Sequence, residues 1–322
     1  MEKFQKYFKE KIENVNNLNH KGNNILFKIS LKNKNYLVKQ YSTVMGDWNR
    51  ATSEYNALTF LWEKGFRNIP KPIKIDEKEN IAIYSFEEGK IINSKEVKKE
   101  DILEAVDFLS NLHKIEDKAF HPARHACLSL MNYLDTLDRR IKPFLEFKPK
   151  DEIGLKAKEF LDNKILPKIG ELKKNFPKDS SFKKQLELKD QVLTPADFGF
   201  HNIILTEKGK YIFLDFEYFG RDDPARQISD FINHDQSRDV KESLKQLFLK
   251  EYKEKTNFNN YFEKRLELID PLIKMTWVLI YLNPLSQTYL KHAQFAHGDV
   301  KNLLKERLEK AKIKFKEIQS AN

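Results

Sequence analysis

The sequence predicts an α+β protein, with a β-rich first stretch to about residue 92 and a mainly helical remainder. Three observations carry this. Ile25-Leu26-Phe27-Lys28-Ile29 and Tyr36-Leu37-Val38-Lys39 are β-rich runs joined by the turn Asn33-Lys34-Asn35, a hairpin signature. Beyond residue 92 the apolar spacing becomes helical, as in Ile102, Leu103, Val106, Leu109 and Leu112. Among the helices lies one short hairpin: Ile203-Ile204-Leu205, the turn Glu207-Lys208-Gly209, then Tyr211-Ile212-Phe213-Leu214.

The remaining elements follow in order. Trp48 to Lys64 has helical spacing, with Tyr55, Leu58, Leu61 and Trp62 as one stripe and Gly65 as the stop. Pro70 and Pro72 punctuate the chain before a strand pair, Ile73–Ile75 and Ile81–Phe86, around the turn Asp76 to Asn80. Gly89 reads as a hinge-like break. Residues 128–145 and 152–175 read as helices, the second with Pro167 inside it. The last long helix runs from about Val300 to Gln319. No solenoid repeat and no low-complexity linker interrupts this order.

Composition narrows the class. Hydrophobic residues make up 40% of the 322 and charged residues 33%, which is globular and too apolar for a disordered chain. No apolar run reaches the roughly 18 residues of a membrane span, and Met1 to Lys11 lacks the apolar core of a secretory signal. The single cysteine, Cys127, excludes an internal disulfide and a CxxC metal knuckle. A cytoplasmic protein without a membrane partner is expected. The 58 Lys+Arg against 48 Asp+Glu give a net charge of +10. The basic residues are scattered, mostly Lys and interleaved with acids. Together with the abundance of Lys, Asn, Ile and Phe this is the pattern of an AT-rich genome, not a nucleic-acid-binding stripe.

The chemistry concentrates in Thr194-Pro195-Ala196-Asp197-Phe198-Gly199-Phe200-His201-Asn202 and Phe213-Leu214-Asp215-Phe216-Glu217-Tyr218. Asp197 and Asn202 are five apart, and Asp215 ends the second hairpin strand. Two carboxylates and an amide at a hairpin mouth suit Mg²⁺, which prefers oxygen ligands and phosphate company. One carboxylate can instead take the proton of an attacking hydroxyl. The spacing is that of the kinase catalytic loop D-x-x-x-x-N, and Asp215-Phe216 stands where D-F-G would.

These two segments, with Asp222-Asp-Pro-Ala-Arg226 and Asp230-Phe231 after them, resemble the aminoglycoside phosphotransferase and choline kinase superfamily. The resemblance covers most of the chain in its order of elements. It implies a bilobal protein-kinase-like fold, with a nucleotide-binding lobe at 1–88 and a helical catalytic and substrate lobe at 89–322. It further implies transfer of the γ-phosphate of ATP to a hydroxyl of a small molecule of sugar, aminoglycoside or amino-alcohol type. Asp197 would be the base, with Mg²⁺ held by Asn202 and Asp215. Lys39, on the second strand, takes the place of the lysine that holds the phosphates. Glu54 lies on the apolar face of its helix, where a carboxylate needs a partner, and Lys39 is the natural one. Gly22 and Asn24 resemble the turn that covers the phosphates, and Ser85 and Phe86 the hinge that binds the adenine edge.

One departure from the family pattern is Pro195, where relatives carry a scaffold His. It leaves open an inactive kinase-fold module that binds nucleotide or scaffolds a partner. The filled lysine, base and metal positions weigh against that reading. His297-Gly298-Asp299 mimics a family motif without its downstream Asn and is expected to open the last helix. His121 and His125 lack a third ligand. Cys127, Trp277, Tyr281 and Phe295 read as core. Glu217, Asp222 and Asp223 lie near enough in sequence to meet a cationic acceptor.

Overall fold

A computed structural model describes residues 2–18, 24–42, 48–116, 120–149, 151–177, 182–256, 260–286 and 300–319. Gly22, Phe295 and the His297-Gly298-Asp299 triplet lie outside the described residues. Contacts divide the chain into two compact units, each assembled from separate stretches: 1–125, 193–221 and 239–248 in the first, 126–192, 222–238 and 249–322 in the second.

The first unit opens with α1 (Glu2–Gln5) and an antiparallel sheet of β1 (Asn14–Asn17), β2 (Ile25–Ser30), β3 (Asn35–Gln40), β4 (Pro72–Asp76) and β5 (Ile81–Ser85), in the order β1-β2-β3-β5-β4. Both expected hairpins are present. The register pairs Leu26 with Lys39, Lys28 with Leu37, Lys39 with Ala82 and Leu37 with Tyr84. Side chains alternate across a strand and paired residues share a face, so these six lie together on one side of the sheet. The opposite side carries Ile29, Val38, Ile81 and Ile83, packed with Phe4, Ile12 and Leu31 and flanked by Tyr7 and Phe8. The N-terminal segment therefore supplies the lid of this sheet's core.

Helix α2 (Arg50–Glu63) serves the Lys39 side. Asn49 caps it by accepting from the Thr52 N–H, and Gly65, at φ +91°, terminates it in the left-handed region that favours glycine. Its buried face is Arg50, Ala51, Glu54, Ala57, Leu58 and Leu61. The expected stripe included Tyr55 and Trp62, which are only half-buried. The face turns toward the alanines because small side chains let the helix approach the sheet.

Three further strands, β6 (Lys90–Ile91), β8 (Ile203–Leu205) and β9 (Tyr211–Phe213), form a small antiparallel sheet in the order β6-β8-β9, with β7 (Val192–Thr194) before β8 in sequence. The β8–β9 hairpin is the one read from the sequence; β6 is an addition of two residues, too short for a periodic signal. Gly89 makes it possible, because a Cβ there would stand 2.4 Å from Ile204 Cγ2 and 2.5 Å from the Leu205 carbonyl oxygen. Helix α3 (Lys99–His113) belongs to this unit and buries Ile102, Val106, Phe108, Leu109 and Leu112. The boundary expected after residue 88 falls just past β5, and the contacts group α3 and segment 193–221 with the five-stranded sheet.

The second unit is helical: α4 (Leu130–Leu145), α5 (Glu152–Phe160), α6 (Leu166–Asn175), α7 (Pro224–Asn233), the latter part of α8 (Glu242–Thr256), α9 (Asn260–Leu282) and α10 (Val300–Gln319). A short strand, β10 (Gly220–Asp222), precedes α7. The single helix expected over 152–175 is interrupted by a π-turn at Leu161–Ile165. Pro167 explains it: the ring clashes with the carbonyl four residues back and offers no N–H, so the preceding turn widens. Helix α9 packs against α4, α7 and α10. The stretch Tyr261–Leu285 is long and apolar enough to cross a membrane by composition, yet over half of its apolar window is buried inside this unit. The same helix places Arg265 and Asp270 in hydrogen bonds to Asp223, Ser229 and Asn233, as a core helix does.

Candidate active site

Four segments of the first unit converge. Strand β3 brings Lys39, α2 brings Glu54, and the loop after β7 brings Asp197 and Asn202. The turn after β9 brings Asp215 and Glu217. Phe108 of α3 organises the last two segments. Its ring stacks on Phe213 at 3.9 Å between centroids and lies parallel to Phe198 at 6.1 Å. Phe216 meets it edge-on at 6.2 Å. Each of these phenylalanines is one or two residues from Asp197 or Asp215, so aromatic packing fixes the backbone that carries the acids.

Lys39 is buried, with Nζ 2.7 Å from Glu54 Oε2, 2.8 Å from Asp215 Oδ1 and 3.6 Å from Glu217 Oε2. Burial alone would lower its pKa. The three carboxylates, Asp215 foremost, override this and hold the ammonium charged, well above its usual range. Glu54 is also raised: burial pushes its pKa up, and Lys39 pulls it back only in part. The carboxylate of Glu54 also accepts from the Tyr41 hydroxyl at 2.6 Å and the Phe216 N–H at 3.3 Å. This glutamate thus ties β3, α2 and the segment after Asp215 to one point.

Asn202 sits in a single 3₁₀ turn, Phe200–Asn202, entering β8. Its side chain donates to the Asp197 carbonyl at 3.0 Å, and its own carbonyl accepts from Leu214 N–H at 2.8 Å. The D-x-x-x-x-N loop is thereby closed on itself and stitched to the turn after β9 that carries Asp215. The Asp197 carboxylate is about one-third exposed, with His201 Nε2 3.4 Å from it. Ala196 (φ +67°) and Asp215 (φ +65°) are both left-handed. That strain, roughly 1–3 kcal/mol for a non-glycine residue, collects where side chains are held for function.

Asn24 reaches the acids of the site: its Nδ2 donates to Glu217 Oε2 at 2.7 Å. Ser85 is engaged with β4. Its N–H donates to the Lys71 carbonyl, and its hydroxyl accepts from Lys71 N–H and donates to Glu87. Phe86 is half-buried beneath the Lys28 ammonium, which lies 4.5 Å from its ring centre. Asp222 and Asp223, considered for a cationic acceptor, are committed elsewhere. Asp222 accepts from the N–H groups of Cys127 and Asp223 and pairs with Arg226. Asp223 accepts from Tyr133 and Arg265, both at 2.6 Å, and caps α7 at Ala225. Both are fully buried and structural.

Glu217, read from the sequence only as a possible contact for a cationic acceptor, stands two residues beyond Asp215 and 3.6 Å from Lys39. Two further participants were not read from the sequence. Tyr41 stands two beyond Lys39, on the same strand face by the alternation of side chains. Arg50 stands one helical turn before Glu54. Spacing could have found each; lysine and acid counts on a crowded surface could not rank them.

Acid oxygens of Glu54, Asp215 and Glu217 lie within 4.8 Å of one another. Such a donor set is hard, anionic and oxygen-only, which fits a divalent cation of the Mg²⁺ type. A lysine clamped between a helical Glu and a strand-end Asp, beside a D-x-x-x-x-N loop, is the arrangement of the protein-kinase-like fold.

Comparison with solved structures agrees. Choline kinase LicA from Streptococcus pneumoniae superposes with a TM-score of 0.63 at 16% identity, covering 98% of this chain and 97% of that one. An ethanolamine kinase from Plasmodium vivax gives 0.61 at 19%, covering 96% and 83%. A spectinomycin phosphotransferase, solved with ADP and spectinomycin, gives 0.63 at 14%, covering 99% and 95%. The fold is the protein-kinase-like one shared by these small-molecule kinases, β-rich in its N-terminal part and mainly helical beyond. The chain belongs to the APH phosphotransferase enzyme family, whose model matches residues 20–260. Among curated proteins no sequence matches.

Proposed function

We propose that this protein transfers the γ-phosphate of ATP to a hydroxyl of a small molecule in the cytoplasm. The observation that supports this most directly is Lys39 held at 2.7 Å from Glu54 and 2.8 Å from Asp215. A rigid, charged ammonium is a point charge suited to nucleotide phosphates. In this reading residues 1–88 form the nucleotide lobe, with Gly22 and Asn24 over the phosphates and Ser85 and Phe86 at the base edge. Lys39 orients the phosphates and Glu54 keeps Lys39 in place. Asp197 orients the acceptor hydroxyl and takes its proton as the phosphoryl bond forms; ADP leaves with the cleaved bond's electron pair. Asn202 and Asp215, with Glu217 beside them, would hold Mg²⁺, which when bound neutralises phosphate charge. Little covalent work falls to the protein, so positioning and charge dominate. The acceptor is an alcohol of amino-alcohol, aminoglycoside or sugar type, and the burial of Asp222 and Asp223 removes two of the acids that would favour a cation.

Thermal unfolding with and without Mg²⁺-ATP tests the reading. Ligand at about 100 times its dissociation constant adds about 2.7 kcal/mol. A shift is expected in the wild type, lost in Asp215→Ala and kept in Asp197→Asn. Release of ADP with a panel of amino alcohols, aminoglycosides and sugars should then occur in the wild type and fall by orders of magnitude in Asp197→Asn. No shift with any nucleoside triphosphate would overturn the proposal.

A further inference from the structure

Arg50 opens α2 one turn before Glu54, on the same face. Its side chain is 1% exposed, and none of its three nitrogens has a hydrogen-bond partner. The Glu217 carboxylate lies close, Oε1 to Nη1 3.7 Å, which is ion-pair distance but too long for a hydrogen bond. The Tyr218 ring centre is 5.6 Å from the guanidinium carbon. Buried arginines ordinarily engage carboxylates through two parallel hydrogen bonds. Here the charge is kept and the fork is unmet.

The surroundings explain what the charge does. Glu54 and Asp215 are each hydrogen-bonded by Lys39. Glu217 receives a hydrogen bond from Asn24, a neutral group, while Lys39 stands 3.6 Å from one of its oxygens and Arg50 3.7 Å from the other. Three carboxylates therefore face two cations, with one negative charge left over. Phosphoryl-transfer sites often hold two divalent ions about 3.5–4 Å apart. A second ion at Glu217 would have to sit beside a guanidinium that cannot lose its proton, in surroundings that screen poorly.

We propose that Arg50 is the resident cation of Glu217, standing in for a second divalent ion, so that the site takes one metal ion with nucleotide where two-metal kinases take two. The inference rests on the nucleotide-site reading above.

Mn²⁺ is the probe, counted per chain by electron paramagnetic resonance at a saturating non-hydrolysable ATP analogue. The wild type is expected to bind one. Arg50→Gln, which removes the charge, is expected to bind two. Arg50→Lys should stay at one, and Arg50→Gln with Glu217→Gln should return to one. Two ions in the wild type overturn the inference without recourse to any variant and leave the nucleotide site intact. One ion in Arg50→Gln, with a cooperative melt showing that it is folded, also overturns it. Nucleotide-independent Mn²⁺ uptake, or none, in the wild type overturns both this inference and the nucleotide-site reading.

Discussion

Phe108 of α3 stacks on Phe213 of β9 with ring centroids 3.9 Å apart and planes 13° from parallel. Because Asp215 follows two residues after Phe213, and Phe198 beside Asp197 lies parallel to the same ring, one side chain positions both acid-bearing segments. Phe108→Ala is expected to cost about 3–5 kcal/mol, the range for a large aromatic removed from a core, read as a lowered urea midpoint. Phe108→Leu should cost less. If the role is positional, nucleotide affinity measured well below the melting temperature falls in both variants.

The Lys39–Glu54–Asp215 cluster predicts a non-additive pair. Lys39→Met leaves buried carboxylates without their counter-charge, a loss of about 3–5 kcal/mol. Glu54→Gln added to it removes one of those charges and should restore part of the stability, while nucleotide binding stays absent. A double-mutant cycle in denaturant measures the coupling. Additive losses would show that the two side chains do not act together.

In the second unit Asp223 holds Tyr133 and Arg265, each at 2.6 Å, and caps α7. Asp223→Ala strands a buried guanidinium and a cap, and a loss of about 3–5 kcal/mol follows. Asp223→Asn keeps the cap and should cost less. A substrate-binding role would instead give a variant of near-normal stability with a raised acceptor KM.

His113 closes α3 half-buried, with its Nε2 shielded from solvent, and desolvation lowers its pKa from 6.5 to about 3. The unfolded chain takes up a proton below pH 6.5 that the folded chain refuses until about pH 3. Stability from this group is therefore complete above pH 6.5 and is lost as pH falls through that window, by about 1.4 kcal/mol per unit. Urea midpoints between pH 7 and pH 4 should fall less steeply in His113→Leu than in the wild type. Equal slopes would assign the acid sensitivity to other groups.

Much of the architecture was legible because local chemistry dictates it. The turns at Asn33–Asn35 and Glu207–Gly209, the stop at Gly65 and the apolar period of α3 each act over a few residues. The motif pair Asp197…Asn202 and Asp215 was legible for the same reason: its spacing is set by one loop and one hairpin. The break at Leu161–Ile165 was less so, since a proline signals disturbance without saying whether the helix ends or widens. The rotation of α2 toward Ala51 and Ala57 was missed because alanine carries little hydropathic weight, although its small size decides how closely a helix can approach a sheet.

The sequence by itself determined the element order, the family pattern and the residues proposed for phosphoryl chemistry, since these depend on residue type and short-range spacing. Only the tertiary structure decided which charges meet. It joined Lys39 to Asp215 across 176 positions and Asn24 to Glu217 across 193. It withdrew Asp222 and Asp223 into a buried network and set Arg50 against Glu217 with its donors unmet. Coulomb energy depends on separation and burial, and neither can be read along a chain until folding has closed the loops between its parts.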